Sequence, residues 1–365
     1  MRIALLNTIK PQPGSGDGIT EITYRLYEKL RKRHRVDLVY PIGTSRRNDI
    51  GGLIYANSLF RAKVRKLAHA GYDIIHIANQ EMGYAAKMLK NSGTEAKVVS
   101  MIYDVVRVRA GFRNGVIHGV YNGMVARSIR DAVEFSDALI FCASSVAPDV
   151  KREFPQLRDN WTVVYLGQPY ENFAKTPIPK KKRGAVLNVG YVGALSAIKN
   201  VIFILRTAKV LRTEKEKYRF VIYGSGLKFN ELKQYRDSNH LDNVYLRGFA
   251  PEKELLKIYD SFDVFFYPGL DESTSITVFN AQARGLPVVL YKKTRLSEEV
   301  RAHGIMANDE RHAAEILERL RTRGYDARSR SAEIKHARGF TWERAERETE
   351  EVYRKLLKQG SAQKS

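Results

Sequence analysis

The sequence holds one cysteine, Cys142, in 365 residues. No disulfide can close within one chain, and a cysteine-based zinc site is excluded. Long apolar runs are missing as well. No stretch approaches the roughly 18 apolar residues that a membrane-spanning helix needs. The first apolar run, Ile3 to Leu6, is soon followed by Lys10 and Pro11. It is too short for the core of a secretion signal, so a cytoplasmic protein is expected. Acidic side chains are scarce beside basic ones: 40 Asp and Glu against 62 Lys and Arg, a net charge of +22. The triplet Asp-x-Asp, a compact pair of oxygen ligands for a divalent metal, occurs nowhere.

What is present is an ordinary globular composition, 44% hydrophobic and 28% charged. Such a chain is neither disordered nor of low complexity, and its length suggests two domains at roughly 100–200 residues each. The basic excess is spread over both halves, and it attracts polyanions: nucleic acid, anionic lipid or phosphorylated small molecules. No aromatic-interleaved basic motif, zinc finger or recognition helix accompanies it, so no nucleic-acid partner is expected.

Short β-branched runs alternate with helical patterns. The strand candidates of the first half are Arg2–Asn7, Val36–Tyr40, Asp73–Ile77, Lys97–Ile102, Asp137–Phe141 and Thr162–Tyr165. Amphipathic stretches lie between them, Ile19–Arg33 and Gly115–Phe135 among others. Strands spaced by helices imply right-handed βαβ units and a parallel sheet. A basic, proline-rich segment without apolar periodicity, Thr176 to Gly184, reads as a linker. The alternation restarts with Ala185–Val192, Arg219–Tyr223, Asn243–Arg247, Asp263–Tyr267 and Pro287–Tyr291, and a helix at Trp342–Leu357 stands alone after it. The expected organisation is α/β: two doubly wound Rossmann-like domains facing across a cleft. The first covers 1–172 and is completed by the helix at 342–358; a linker covers 173–184 and the second domain 185–341.

Parallel sheets bind ligands beyond the carboxyl ends of their strands. Two loops there are equipped for anions. Pro13 to Gly18 follows the first strand, and Gly16 and Gly18 would let a phosphate approach the backbone at the start of a helix. It lacks the Gly-Lys-Ser/Thr of a P-loop and the G-x-G-x-x-G of a dinucleotide site. A helix cap at Asp17 or Thr20 is the alternative reading. The second loop, Tyr267 to Ser275, carries Glu272 and then Ser273, Thr274 and Ser275 at a helix start. Those three offer anion-binding donors or, alternatively, a cluster of caps. In a third segment, Tyr191 to Asn200, Lys199 is placed to neutralise a phosphate or is a surface lysine. Gly193 and Gly224 mark turns directly after strands. His76, at a strand end, lines the cleft or, more ordinarily, is a structural histidine.

These segments resemble the retaining glycosyltransferases of family 4, which have the GT-B fold. The likeness lies in Tyr191–Asn200, Phe220–Leu232, Asn243–Val289 and Phe340–Leu357, with Gly16–Leu30 resembling that family's glycine loop and first helix. The resemblance implies a hexosyltransferase-type enzyme that moves a sugar from a nucleotide diphosphate sugar to an acceptor hydroxyl, with retention and without a metal or other cofactor. Glu272 matches the first acid of an E-x7-E motif that holds the donor sugar. Lys199 matches the lysine that contacts the diphosphate. Ser273, Thr274, Ser275, Gly16, Gly18, Gly193 and Gly224 would line the donor. Tyr103 or Asp104 would orient the acceptor. The chain departs from the pattern at Asn280, where the second acid usually binds the ribose and where an amide can still bind donor hydroxyls, at Ala194, where an Arg is usual, and at Tyr103-Asp104, where a His is common.

Basic residues mixed with apolar ones at Arg107–Arg113, and Arg25, Lys29, Arg31, Lys32, Arg33 and Arg35, point to a glycan or lipid-linked acceptor, with peripheral contact to an anionic membrane at its inner face. A solvated basic face is the plainer reading of the same residues. Two other functions fit parts of the pattern: a non-enzymatic polyanion or nucleic-acid binder, and a sugar-nucleotide epimerase on the same fold.

Overall fold

In the computed structural model, apolar runs become strands covered by helices on both faces. The structure describes residues 1–12, 18–41, 60–105, 116–167, 173, 176–179 and 184–362. The chain divides into two compact units, Met1–Pro169 with Phe340–Ser365, and Tyr170–Gly339.

The first unit carries β1 (Arg2–Leu6), α1 (Gly18–Leu30), β2 (Arg35–Val39), β3 (Ile74–Ile77), α2 (Tyr84–Asn91), β4 (Lys97–Ile102), α3 (Val116–Phe135), β5 (Ala138–Phe141), α4 (Val146–Glu153) and β6 (Trp161–Val163). Its sheet has six strands in the order β2-β1-β3-β4-β5-β6, and each pairing is parallel. Side chains alternate across the pleat. Ile3 and Leu5 join one core with Leu26, Ile129 and Trp342, whereas Ala4 and Leu6 join the other with Val64 and Leu89.

The second unit carries β7 (Leu187–Val192), α5 (Ile202–Val210), β8 (Tyr218–Tyr223), α6 (Phe229–Ser238), β9 (Val244–Gly248), α7 (Glu252–Ser261), β10 (Val264–Tyr267), α8 (Ile276–Ala283), β11 (Val288–Tyr291), α9 (Glu298–Arg301), β12 (Ile305–Ala307), α10 (Glu310–Arg323) and α11 (Ala327–Arg338). Its six strands run β12-β11-β10-β7-β8-β9, again parallel. The last helix, α12 (Trp342–Ala362), belongs to the first unit. Two parallel six-stranded sheets with flanking helices agree with the α/β class expected from the alternation.

Several expected strands begin one residue too early, and the reason recurs. Asp73, Asp137 and Asp263 each precede a strand and turn the carboxylate sideways. They accept the backbone N–H of Arg2 at 2.6 Å, of Val98 at 2.7 Å and of Asn188 at 2.9 Å. Each bond occupies a donor at the start of the neighbouring strand, so the Asp acts as a sheet-end cap. In the second unit the short helix α9, strand β12 and helix α11 lie outside the expectation. Strand β12 has only three residues, and α11 has little apolar content and buries only Glu333 and Ala337.

In the second unit Arg284 is fully buried. Its Nε and Nη2 donate to Asp260 at 2.7 and 3.0 Å, and its remaining N–H groups reach the carbonyls of Phe173, Thr176 and Pro177 at 3.1, 2.7 and 3.0 Å. All five guanidinium donors are thereby used, which is what burial of this charge demands.

In the first unit, His76 ties β3 to α12. It is fully buried, and its Nδ1 lies 2.5 Å from the Tyr353 hydroxyl. Burial holds the imidazole neutral, lowering its pKa from 6.5 to about 3. As pH falls through 6.5 the unfolded chain takes up a proton there, but the folded chain does so only near 3. The stability tied to this neutral ring is therefore full above pH 6.5 and declines on acidification, by about 2 kcal/mol at about pH 5. In His76→Asn, an amide oxygen replaces Nδ1 and does not titrate. The drop in unfolding free energy from about pH 7 to about pH 5 is expected to be smaller in the variant; equal drops would refute the assignment.

Candidate functional site

The strand order of the second sheet reverses between β7 and β10, which are direct neighbours. Right-handed crossovers send the following helices to opposite faces, so the loops after these two strands part and leave a crevice at their carboxyl ends. Lys199 comes from the loop after β7 and Glu272 from the loop after β10.

The two side chains meet there. Lys199 Nζ donates to the Glu272 carboxylate oxygens at 2.5 and 2.6 Å and to the Tyr267 hydroxyl at 3.1 Å. All three ammonium protons are thus engaged. The pair is partly sheltered, with side-chain exposures of 18% and 25%, so its field is less screened than that of a surface pair. The loops are also tied through their backbones. Leu270 N–H donates to Ile198 O at 2.8 Å, and Asn200 Nδ2 to Pro268 O at 3.3 Å. Asn200 itself sits at φ 50°, a left-handed turn that asparagine tolerates and that follows the lysine directly.

Beside this pair α8 begins. Its N-cap, Ser275, makes no side-chain cap bond; the Ser275 Oγ pairs with Thr277 Oγ1 at 3.1 Å instead. The first N–H groups of α8 are left without a side-chain cap, an arrangement that attracts anions. Ser273 is buried and its carbonyl accepts Ser297 N–H at 2.9 Å, while Thr274 is half-buried. Asn280 is buried further along α8, and its Oδ1 has no hydrogen-bond partner among the described residues.

Gly193 and Gly224 lie where the loops after β7 and β8 cross. A Cβ on Gly224 would come within 1.9 Å of the Gly193 carbonyl oxygen. The Ala194 carbonyl accepts the Tyr191 hydroxyl at 3.0 Å, and burial raises the pKa of that phenol. Tyr191 stacks on Tyr267 with ring centroids 6.4 Å apart. Tyr267 was absent from the sequence reading as a site residue. Its position at the end of an apolar strand, five residues before Glu272, is the signal that could have found it.

In the first sheet the order reverses between β1 and β3. Past their ends, Asn79 Nδ2 donates to Asn7 Oδ1 at 3.1 Å and to Thr8 Oγ1 at 2.8 Å, all three residues being buried. This polar cluster also escaped the sequence reading; its signal is the abrupt turn from apolar to amide residues in Leu5-Leu6-Asn7-Thr8 and Ile77-Ala78-Asn79-Gln80. Tyr103 and Asp104 follow β4. Tyr103 is buried, with its hydroxyl donating to Ala78 O at 2.9 Å and its N–H to Gln80 Oε1 at 2.8 Å. Asp104 is half-buried on the same loop. Gly18 is the first residue of α1, and Thr20 lies buried inside that helix rather than at its cap. Gly16, Asp17 and the basic segment Arg107–Arg113 fall outside the described residues.

Comparison with known proteins gives a consistent picture. Residues 187–322, all within the second unit, match the family model described as Glycosyl transferases group 1. The chain is 26% identical over 311 residues to a D-inositol 3-phosphate glycosyltransferase of Corynebacterium urealyticum, covering 78% of this chain and 72% of that protein. Against two further curated relatives, from Bacillus subtilis and Escherichia coli, it spans only 27% and 45% of their length. The fold resembles sucrose-phosphate synthase from Thermosynechococcus elongatus, with a TM-score of 0.75 at 15% identity over 98% of this chain and 99% of that one. It also resembles Anabaena Alr3699/HepE in complex with UDP and glucose, with a TM-score of 0.67 at 14% identity over 96% and 98%. The two-unit α/β architecture is that of GT-B glycosyltransferase structures.

The crossing at Gly224 sets a steric test. Gly224→Ala drives a methyl group into backbone and is expected to cost about 2 kcal/mol or more in denaturant unfolding. A Cβ on Gly123, in α3, would meet nothing within 4 Å. Gly123→Ala is expected to be neutral or stabilising by up to about 1 kcal/mol. Equal effects of the two substitutions would refute the crossing.

Proposed function

We propose that the chain is a glycosyltransferase that moves a sugar from a nucleoside diphosphate sugar to an acceptor hydroxyl, with retention at the anomeric carbon. The observation that carries the reading is the Lys199–Glu272 pair at the strand-order reversal of the second sheet, beside the uncapped start of α8. The family match over that unit and the relatives' names support it.

Lys199 and Glu272 satisfy one another while no ligand is held. A diphosphate offers Lys199 a better-matched anion, and a sugar offers Glu272 hydroxyl donors. One ligand carrying both groups lets the pair exchange partners without stranding either charge. In the reaction the bond from the anomeric carbon to the diphosphate oxygen breaks, and its electron pair stays on that oxygen. Lys199 and the first N–H groups of α8 are preorganised donors for the charge that develops. The acceptor oxygen bonds to the anomeric carbon, and its proton passes to the departing phosphate. The reading uses no metal ion. Asn280 Oδ1, an acceptor without a partner among the described residues, suits a ribose hydroxyl. Asp104 is assigned to the acceptor, with Tyr103 as a support of its loop.

The acceptor is proposed to be glycan or lipid-linked, with the protein cytoplasmic and peripheral at an anionic membrane. Val116, Val120 and Met124 repeat every fourth residue on α3 and are 74%, 51% and 41% exposed. Met124 also lines a cavity of about 440 Å³ that Arg61, Lys87 and Arg127 share. An apolar stripe rimmed by cations is the pattern of a surface that lies against anionic lipid. Among the described residues no helix is long and apolar enough to cross a membrane.

Thermal unfolding with a panel of UDP-, ADP- and GDP-sugars tests the donor. A ligand at about 100 times its dissociation constant adds about 2.7 kcal/mol to folding stability. At least one donor is expected to raise the melting temperature of the wild type, and Glu272→Gln and Lys199→Ala are each expected to lose most of that shift. No shift across the panel would defeat the reading. Co-sedimentation tests the membrane surface: binding to vesicles with anionic lipid, weakened at high salt and in Val120→Ser/Met124→Ser, is expected. Equal recovery with neutral vesicles would remove the anionic-lipid assignment.

A further inference from the structure

The strands that end at Lys199 and Glu272 begin at a second concavity. The starts of β7, β10 and β11, with the turn between α10 and α11, enclose a cavity of about 400 Å³. Its apolar side includes Ile178, Phe262 and Leu320; the rest of its lining includes four arginines, Arg284, Arg321, Arg323 and Arg330, and the ring of Tyr325.

The four cations are not equivalent. Arg284 is held by Asp260, and Arg321 lies 2.7 Å from Glu318. Arg323 and Arg330 take part in no ion pair among the described residues. The carboxylate of Asp263, which also lines the cavity, is engaged by the N–H and Nδ2 of Asn188 at 2.9 and 3.0 Å. Glu333, one turn beyond Arg330, is fully buried beside Tyr325, and burial pushes its pKa up to about 9. The Arg330 charge acts on that carboxyl in the opposite direction, and burial outweighs it. Among the described residues the lining thus has two arginines, Arg323 and Arg330, outside any ion pair.

A volume of this order is that of a small-molecule pocket, and guanidinium groups match phosphate oxygens in a planar fork. We propose that this cavity is a second ligand site of the unit, taking a phosphate-bearing small molecule whose phosphate is held by Arg323 and Arg330 and whose body lies along Ile178 and Phe262. It is separate from the Lys199–Glu272 crevice, because β7 and β10 run from the one to the other. It does not depend on the function proposed above.

Titration calorimetry of the full chain at low salt, with inorganic phosphate and with ribose 5-phosphate, tests the site. Saturable binding of ribose 5-phosphate is expected, weakened about tenfold or more in Arg323→Gln/Arg330→Gln and unchanged in Lys199→Ala. Tighter binding of ribose 5-phosphate than of inorganic phosphate assigns the apolar side to the ligand body; equal affinities would remove that part of the proposal. Arg323 is exposed, so Arg323→Gln alone carries the test if the double variant is unfolded. Binding lost in Lys199→Ala, binding indifferent to the arginines, or no binding of either probe at millimolar concentration would each overturn the proposal.

Discussion

Lys199 and Glu272 lie 73 positions apart in the sequence, and the pairing of β7 with β10 brings them together. That pairing is the constraint on which the candidate site rests. The two strands lie side by side with Val189 opposite Val264 and Gly190 opposite Phe265. A Cβ on Gly190 would lie 2.2 Å from the Phe262 ring, so a bare backbone is what allows that ring to seat beside β7. The strand order reverses at this seam, and the loops that leave it have no sheet above them. A backbone bond from Leu270 N–H to Ile198 O ties the loops together independently of their side chains. The ion pair then closes over a scaffold already set, so little conformational entropy is left for it to overcome.

Much of this was legible in the amino-acid order. Runs such as Ile74-Ile75-His76-Ile77 and Val264-Phe265-Phe266-Tyr267 are β-branched or aromatic without alternation, as strands covered on both faces must be. The loops after β7 and β10 carry Lys199 and Glu272 at carboxyl ends, where a parallel sheet exposes its ligands. The strand starts were less legible, because Asp73, Asp137 and Asp263 look like loop residues while their carboxylates belong to the sheet. Helix α11 was not legible at all. Its sequence, Ala327 to Arg338, has no apolar stripe, and it packs against α8 while burying only Glu333 and Ala337.

Contacts between distant segments account for the rest. Nothing in the local pattern marks Asn7, Thr8 and Asn79 as one cluster, since β1 and β3 are separated by 67 residues of chain and meet only in the sheet. Tyr267 was hidden differently. As the last residue of an apolar strand it reads as core, and it is indeed fully buried, yet its hydroxyl accepts a hydrogen bond from Lys199. An aromatic residue at a strand end serves both purposes, because the ring packs while the hydroxyl reaches past the sheet.

The arginines of the second unit show why charge in a sequence is a poor guide to its use. Arg284 closes an apolar helix, whereas Arg330 lies in a polar one. One finds a carboxylate and three carbonyls, spends all five donors on them and becomes part of the fold. The other faces a cavity and stands beside a glutamic acid that burial keeps neutral. A guanidinium cannot shed its proton, so a sheltered arginine must find an anion somewhere. Where the chain supplies the anion, the result is structure. Where the chain makes no ion pair, as at the half-buried Arg330 and the exposed Arg323 beside it, the donors are left to a ligand.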